Sequence, residues 1–321
     1  MATLRALVLA TTIAALLGCG LGSQGPETED RAPGRIPRAE AVIASVAGAE
    51  AESRAIAEAI LGASDPVLAA AQAGFDALEP WEGELKEWER SGKSLEDLRK
   101  RIEDAGLFVP SVIGLWDAIP ATQEEWERNL VASRDRMRMA SSIGARNVQV
   151  VPGPAREDFD LRWAADRYRD LLRIGLEEYD LRPAMVFVEF LPGAKTMGRA
   201  SAIALDADHP RAAIIPDVFH MHIGGSGFQG LKHIDGDFIA IFQFNDAPAE
   251  PGLEDLEDKH RVFPGDGILP LEEILRDLHG TGFRDCVSLE LYNPGYWERD
   301  LLGVATEGHR KTLETIERAF A

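Results

Sequence analysis

The stretch "LRWAADRYRDLLRIGLEEYDLRPAMVFVEFLPG", Leu161 to Gly193, decides the fold. Its first part, through Leu181, reads as a helix, and the apolar run "AMVFVEFLPG" reads as a strand ending at Glu189. A long helix that feeds directly into a short apolar strand is part of a βαβ rhythm, and its repetition implies parallel strands joined by crossover helices. The rhythm recurs on both sides. Upstream, "ARNVQVVPG" reads as a strand, and downstream "AAIIPDVFH" is one ending at Asp217. "DFIAIFQFNDA" ends at Gln243, and "CVSLELYN" is the last strand and carries Glu290.

Earlier in the chain, "AGFDALEPW" gives a strand near Phe75 to Glu79 after a helix from Pro66 to Gln72. "LFVPSVIGLW" gives another, broken by Pro110. "SLEDLRKRIEDAG" is a helix with Ser94 as N-cap, Asp97 at the third position and Gly106 as its stop. Residues 123 to 142 form a long helix; "LEEILRDLHGTGF" is one that stops at Gly280, and residues 303 to 319 close the chain. An eighth strand is expected before Pro66, in "AVIASVAG" or "RAIAEAILG". Eight strand-helix units over residues 42–321 match a (β/α)8 barrel, typically about 250 residues long. An open doubly wound sheet is the alternative, but no Gly-rich phosphate fingerprint follows any strand.

With 45% hydrophobic residues, the 321-residue chain has enough apolar material for a large core. The 34 basic residues against 54 acidic ones leave a formal charge of −20, which argues against a nucleic-acid partner. The first residues differ in kind. "MATLRALVLATTIAALLGCGLGSQ" has a charged Arg5, an apolar run from Ala6 to Leu17 and then small residues, the pattern of a secretory signal. Its "LLGC", Leu16 to Cys19, resembles the lipobox of bacterial lipoproteins, which implies that residues 1–19 are a lipoprotein signal peptide with Cys19 as the acylated residue. A plain signal peptide cleaved nearby is the alternative. Residues 20–41 are rich in Gly, Pro and charge and read as a flexible tether. The expected location is therefore the cell envelope, lipid-anchored on the periplasmic side or at the outer membrane. Cys286 is then the one cysteine left in the mature chain, so no disulfide framework is available.

In a barrel the C-terminal ends of the strands converge on one face, so Glu189, Asp217, Gln243 and Glu290 are brought together although far apart in sequence. Three carboxylates and an amide oxygen repel one another unless a cation sits among them, and an all-oxygen set suits Mg²⁺ or Mn²⁺. The opposing reading makes each acid an ordinary rim residue paired with an Arg or Lys.

Across roughly residues 65 to 320 the chain resembles the sugar phosphate isomerase/epimerase superfamily with the xylose isomerase-like barrel. The motifs that carry this are "AGFDALE", "VFVEFLP", "PDVFHMHIGG", "KHRVFPGDGILPL" and "GFRDCVSLELYNPGYW". The resemblance implies a metal held by Glu, Asp, His and Glu, of which three map onto Glu189, Asp217 and Glu290. Two departures stand out: ketose epimerases usually have His where this chain has Gln243, which is similar to the 3-dehydroshikimate dehydratase branch, and Lys195 stands where they carry a second Glu. His220, in "DVFH", is implied to touch substrate oxygen or relay a proton. The segment 246–267 is long for a loop on this face, the mark of a lid or clamp. Within it Arg261 and His260 are candidates for substrate binding, as are Lys195 and Trp116. Trp297 is a further pocket-wall candidate, Glu79 a floor residue, and Tyr292 and Asn293 rim candidates.

The chemistry expected is removal of a proton beside the carbonyl of a hydroxy-ketone, with Glu189 and Glu290 as base and acid. Return of the proton elsewhere makes a sugar isomerase or epimerase; loss of a β-hydroxyl makes a dehydratase or lyase on a cyclic keto-polyol or 3-keto sugar. A lipid-anchored, non-catalytic sugar-binding protein is the third reading. The expected partners are a small carbohydrate or keto-polyol and, through the anchor, a membrane, with the oligomeric state open.

Overall fold

In the computed structural model the described residues are 42–43, 65–153 and 160–321. Cys19 and the residues read as signal peptide and tether lie outside them. The chain alternates strand and helix as expected: β1 Val42–Ile43, α1 Pro66–Ala73, β2 Ala77–Leu78, α2 Glu82–Arg90, α3 Leu95–Asp104, β3 Ser111–Leu115, α4 Gln123–Ser142 and β4 Asn147–Val150. Then come α5 Leu161–Tyr179, β5 Arg182–Met185, α6 Met197–Asp206, α7 Val218–Ile223, β6 Phe242–Phe244, α8 Leu271–Gly280, β7 Val287–Leu289, α9 Pro294–Trp297 and α10 Leu301–Phe320.

Every strand pairing is parallel. β1 pairs with both β2 and β7, β7 with β6, and β4 with both β3 and β5. The missing stave is extended backbone around Ile214, which bridges Met185 on one side and Ile239 on the other, while Asp217 bridges Gln243. Bridges from Ala77 to Phe108 and from Trp81 to Ile113 close the ring between β2 and β3. Of the two segments expected to supply the first stave, "AVIASVAG" is the one that does so.

The strand sequences show why the barrel is lined as it is. Successive strand side chains point to opposite faces. In β4, Val148 and Val150 join the main core under the helices, and Asn147 and Gln149 alternate with them. Phe242 and Phe244 do the same in β6, leaving Gln243 on the inside, and Val287 and Leu289 in β7 leave Ser288 there. A second apolar cluster, including Ala77, Ile113, Ala184, Ile215, Ile241 and Cys286, fills the rest of the barrel.

The helix signals hold locally. Ser94 Oγ accepts from the backbone N–H of Glu96 at 3.1 Å, capping α3, and Gly106 follows it at φ +80°. Several details differ from the sequence reading: β5 ends at Met185, four residues before Glu189, and Gln243 lies within β6 and not at its end. Helix α2 was not expected, because "EGELKEWER" buries only Leu85 and shows no apolar stripe. Helix α8 runs through Gly280, and Gly282, at φ +90°, takes the left-handed conformation instead. Among the described residues no helix is long and apolar enough to cross a membrane.

Candidate metal centre and active site

Four elements deliver the expected residues to the C-terminal mouth. Glu189 follows β5. Asp217 is the N-cap of α7, where its Oδ1 accepts from Phe219 N at 2.7 Å, so the turn that starts the helix also fixes this carboxylate. Gln243 lies inside β6, and Glu290 follows β7.

The residue at the centre is Arg261. It is fully buried, and its guanidinium is gripped from all sides. Nη1 donates to Asp217 Oδ2 at 2.7 Å and to Glu290 Oε2 at 2.9 Å. Asp258 Oδ1 accepts from Nη2 at 2.7 Å and from Nε at 3.0 Å. The guanidinium carbon lies 5.0 Å from the centre of the Phe219 ring and 4.9 Å from that of Tyr292. Nη2 also lies 3.0 Å from His220 Nε2. A guanidinium has only donors, so this contact needs Nε2 to accept and assigns the ring proton to Nδ1, facing Glu189.

The loop 246–267 carries Arg261 into place. Asp246 and Val262 pair across its base. Asp246 Oδ1 accepts from the backbone N–H of Ala247 and Leu269, and its Oδ2 from Gly265 and Gly267, all at 2.9–3.0 Å. Gly267 packs so tightly that an added Cβ would come within 2.2 Å of Ala247 O. The expected clamp is therefore a folded strap with its arginine turned inward.

The four expected donors do not meet at one point in this arrangement. Asp217 and Glu290 converge on Arg261. Glu189 Oε2 instead faces His220 Nδ1 at 2.7 Å, with neither atom in an aligned hydrogen bond. Gln243 turns toward the barrel interior, beside Glu79. Glu189, His220 and Asp258 present ligand atoms all within 4.8 Å of one another.

The charges follow from burial and pairing. Burial pushes Glu290 up, to about 8, with Asp217 and Glu79 adding to it against the opposing pull of Arg261. Asp217 is also desolvated, yet Arg261 and His220 hold it below the usual carboxylate range. Burial disfavours a charged His220, but Asp217, Asp258 and Glu189 outweigh this and lift it to about 9. That protonated ring conflicts with the Arg261 contact at Nε2, and the geometry favours the neutral imidazole while the guanidinium stays where it is.

These residues fit a divalent cation. Asp217, Asp258 and Glu290 present three carboxylates to one guanidinium, and Glu189 lies beside His220 and Asp258, which leaves negative charge to be offset. Glu189 Oε2 is a buried carboxylate oxygen without an aligned hydrogen bond, a costly state that a cation at the site relieves.

The other expected residues lie further out. Trp116 lies tilted against Trp81 with ring centres 5.2 Å apart, and Trp81 meets Tyr292 edge-on at 6.1 Å, so the three form one aromatic wall. Tyr292 Oη donates to Glu290 Oε1 at 2.7 Å. Asn293 Nδ2 donates to Arg261 O at 3.2 Å. His260 turns away, its Nδ1 accepting from Glu257 N at 2.9 Å, and Lys195 is exposed. Sequence reasoning missed Asp258, the second anchor of Arg261, and Asp246, the hub of the strap. Their positions in an acid-rich loop gave no signal, although the "PGDG" turn marked where the strap ends.

A closed parallel barrel with an acid-rich mouth defines a class, and the comparison with known families agrees. The chain belongs to the xylose isomerase-like TIM barrel family, which it matches over residues 67–318. It is 30% identical to the inosose isomerase of Bacillus licheniformis over 45% of this chain and 52% of that protein. It is 27% identical to the 3-dehydroshikimate dehydratase of Pseudomonas aeruginosa over 83% of this chain and 42% of that protein. The chain thus spans about half the length of the curated relatives it matches. Its fold is similar to that of the IolI protein solved with a bound zinc atom, with TM-score 0.73 and 24% identity over 82% of this chain and 98% of that one.

Proposed function

We propose that this chain is a divalent-metal-dependent enzyme that moves a proton beside the carbonyl of a keto-sugar or keto-polyol, with isomerisation or epimerisation as the outcome. The observation that carries this reading is the buried acid cluster at the C-terminal mouth, already closed around one cation, Arg261. Glu189, Asp217, Gln243 and Glu290 are the residues assigned to hold the ion, with His220 and Asp258 beside them, and Mn²⁺ or Mg²⁺ suits this oxygen-rich set. A divalent ion there would polarise the carbonyl and offset the charge of the enediolate left when the neighbouring proton is removed.

The rest is the work of this chain's own side chains. Glu290 and Glu189 take and return the proton, Glu290 being held by Tyr292. His220 offers an imidazole to a substrate oxygen. The guanidinium of Arg261, once released from one of its carboxylates, would offer its donors to a substrate hydroxyl pair or carboxylate. Phe219 and the aromatic wall of Trp81, Trp116 and Tyr292 limit access of water to the site.

A dehydratase is the second reading. It is favoured by Gln243 at the third ligand position and by the greater share of this chain, 83%, that aligns with the dehydratase relative. Metal-loaded protein incubated with keto-sugars and keto-cyclitols in heavy water should wash deuterium into the carbon next to the carbonyl, read by NMR. Absence of exchange with every ketone, in protein shown to hold metal, would remove both enzymatic readings. We further propose export and lipid anchoring at Cys19, for which the expected outcome is loss of membrane association in Cys19→Ala.

A further inference from the structure

A glutamine is an ambiguous ligand. Its amide carries an oxygen at one end and, at the other, an NH₂ whose lone pair is delocalised and cannot bind a metal. Something must decide which end faces the mouth, and Glu79 is placed to do so.

Glu79 is fully buried on the barrel interior, one residue beyond β2. Gln149 Nε2 donates to its Oε1 at 2.8 Å, and Ser288 Oγ donates to its Oε2 at 2.6 Å. Ser288 is the direct partner of Gln243 across β6 and β7, which sets Gln243 against the same carboxyl. Gln243 is 4% exposed, and its Nε2 is a buried donor with no aligned hydrogen bond. A carboxylate accepts about four hydrogen bonds, so two aligned donors leave acceptor capacity on Glu79. Both oxygens of Glu79 therefore accept from side-chain donors, the pattern of a carboxylate. An amide beside such a group is stable with its NH₂ toward the carboxylate and unstable with its carbonyl there.

We infer that Glu79 is a positioning residue that fixes the amide of Gln243 with Nε2 inward, so that Oε1 is the atom offered to a divalent cation at the barrel mouth. This rests on the metal site proposed above. It makes glutamine usable as an oxygen ligand in this chain because an acid lies beneath it in the barrel.

The test is a metal titration rather than an activity assay. Chelator-stripped protein is titrated with Mn²⁺, and affinity is read by calorimetry for the native chain, Glu79→Gln, Gln243→Glu and the double variant, with thermal unfolding as a control for folding. Glu79→Gln should weaken Mn²⁺ binding by roughly 10- to 100-fold, the usual effect of losing an outer partner of a ligand. In the Gln243→Glu background the same change should cost nothing or improve affinity. A carboxylate at 243 offers oxygen whichever way it turns, and its inner oxygen repels Glu79. Ser288→Ala, which removes a donor from Glu79 and leaves Gln243 facing it, should stay within about 3-fold of the native affinity, a small share of the outer-partner effect. Should Glu79→Gln fail to fold, Glu79→Asp, which draws the carboxylate back by one methylene, carries the same expectation.

An unchanged affinity in Glu79→Gln overturns the inference while leaving the metal site standing. So does an equal loss in both backgrounds, or a loss in Ser288→Ala as large as that in Glu79→Gln, since each points to packing. A native chain that takes up no Mn²⁺ overturns the metal site and the inference together.

Discussion

Replacing Arg261 with methionine removes the one guanidinium that Asp217, Asp258 and Glu290 share, while keeping most of the side-chain bulk. Asp217 and Glu290 are 2% and 3% exposed, so neither carboxylate can turn to water for compensation. Breaking a buried ion pair by deleting one partner costs about 3–5 kcal/mol, because the remaining charge is stranded. Glu290 limits the penalty: even with Arg261 pulling it down, its pKa is pushed up to about 8, so it readily carries a proton and strands little charge. The expected loss is therefore near the lower end, about 3 kcal/mol. For a domain of this size that lowers Tm by roughly 6–12 °C, at about 2–4 °C per kcal/mol. The assay is thermal unfolding of native and Arg261→Met protein in chelator, repeated with saturating Mn²⁺. Added metal should recover more of the loss in the variant than it adds to the native chain, because it supplies the missing positive charge. A variant that melts within about 2 °C of the native chain in chelator, under 1 kcal/mol on that scale, would refute the claim that Arg261 is the cluster's counter-ion.

In protein saturated with metal, Glu290→Gln should slow deuterium exchange into substrate by about 10²–10⁴, and full retention of exchange would end its role as proton carrier. Asp246→Asn replaces one of two oxygens that each accept two backbone N–H groups. It should cost roughly 2 kcal/mol of unfolding free energy and open segment 246–267 to limited proteolysis. His309 packs edge-on against Phe75 at 5.1 Å, and burial holds its pKa below the ordinary 6.5. A depressed pKa means that the unfolded chain binds this proton more tightly. Its contribution to stability is therefore present above pH 6.5 and is lost as pH falls through the folded value. His309→Phe should flatten that part of the stability profile in denaturant titrations between pH 7 and the acid limb, and an unaltered profile would show that the proton acts elsewhere.

Part of the barrel was legible because some strands alternate outward Val or Phe with inward polar residues, as in "NVQV" and "FQF". Strand ends could then be placed, and with them Glu189, Asp217, Gln243 and Glu290. What strand ends do not encode is side-chain direction. Asp217 doubles as a helix cap, which aims it, and nothing local to Glu189 announces that it will face His220. The part played by Arg261 was half legible: its loop was long enough to be a clamp, but its complete burial depends on Asp246 and Asp258, whose partners lie in backbone groups and in a guanidinium that no periodicity reveals. Helix α2 was invisible for the opposite reason, since a helix that buries only Leu85 leaves no apolar stripe to read.

The central claim is that this mouth takes a single divalent ion. The most direct measurement is anomalous diffraction from crystals of the chain soaked in Mn²⁺. The account predicts one peak per chain, bounded by Glu189, Asp217, Gln243 and Glu290, with Arg261 moved off at least one of its carboxylates. No peak at the barrel mouth, with Arg261 still bonded to both Asp217 and Glu290, would contradict it.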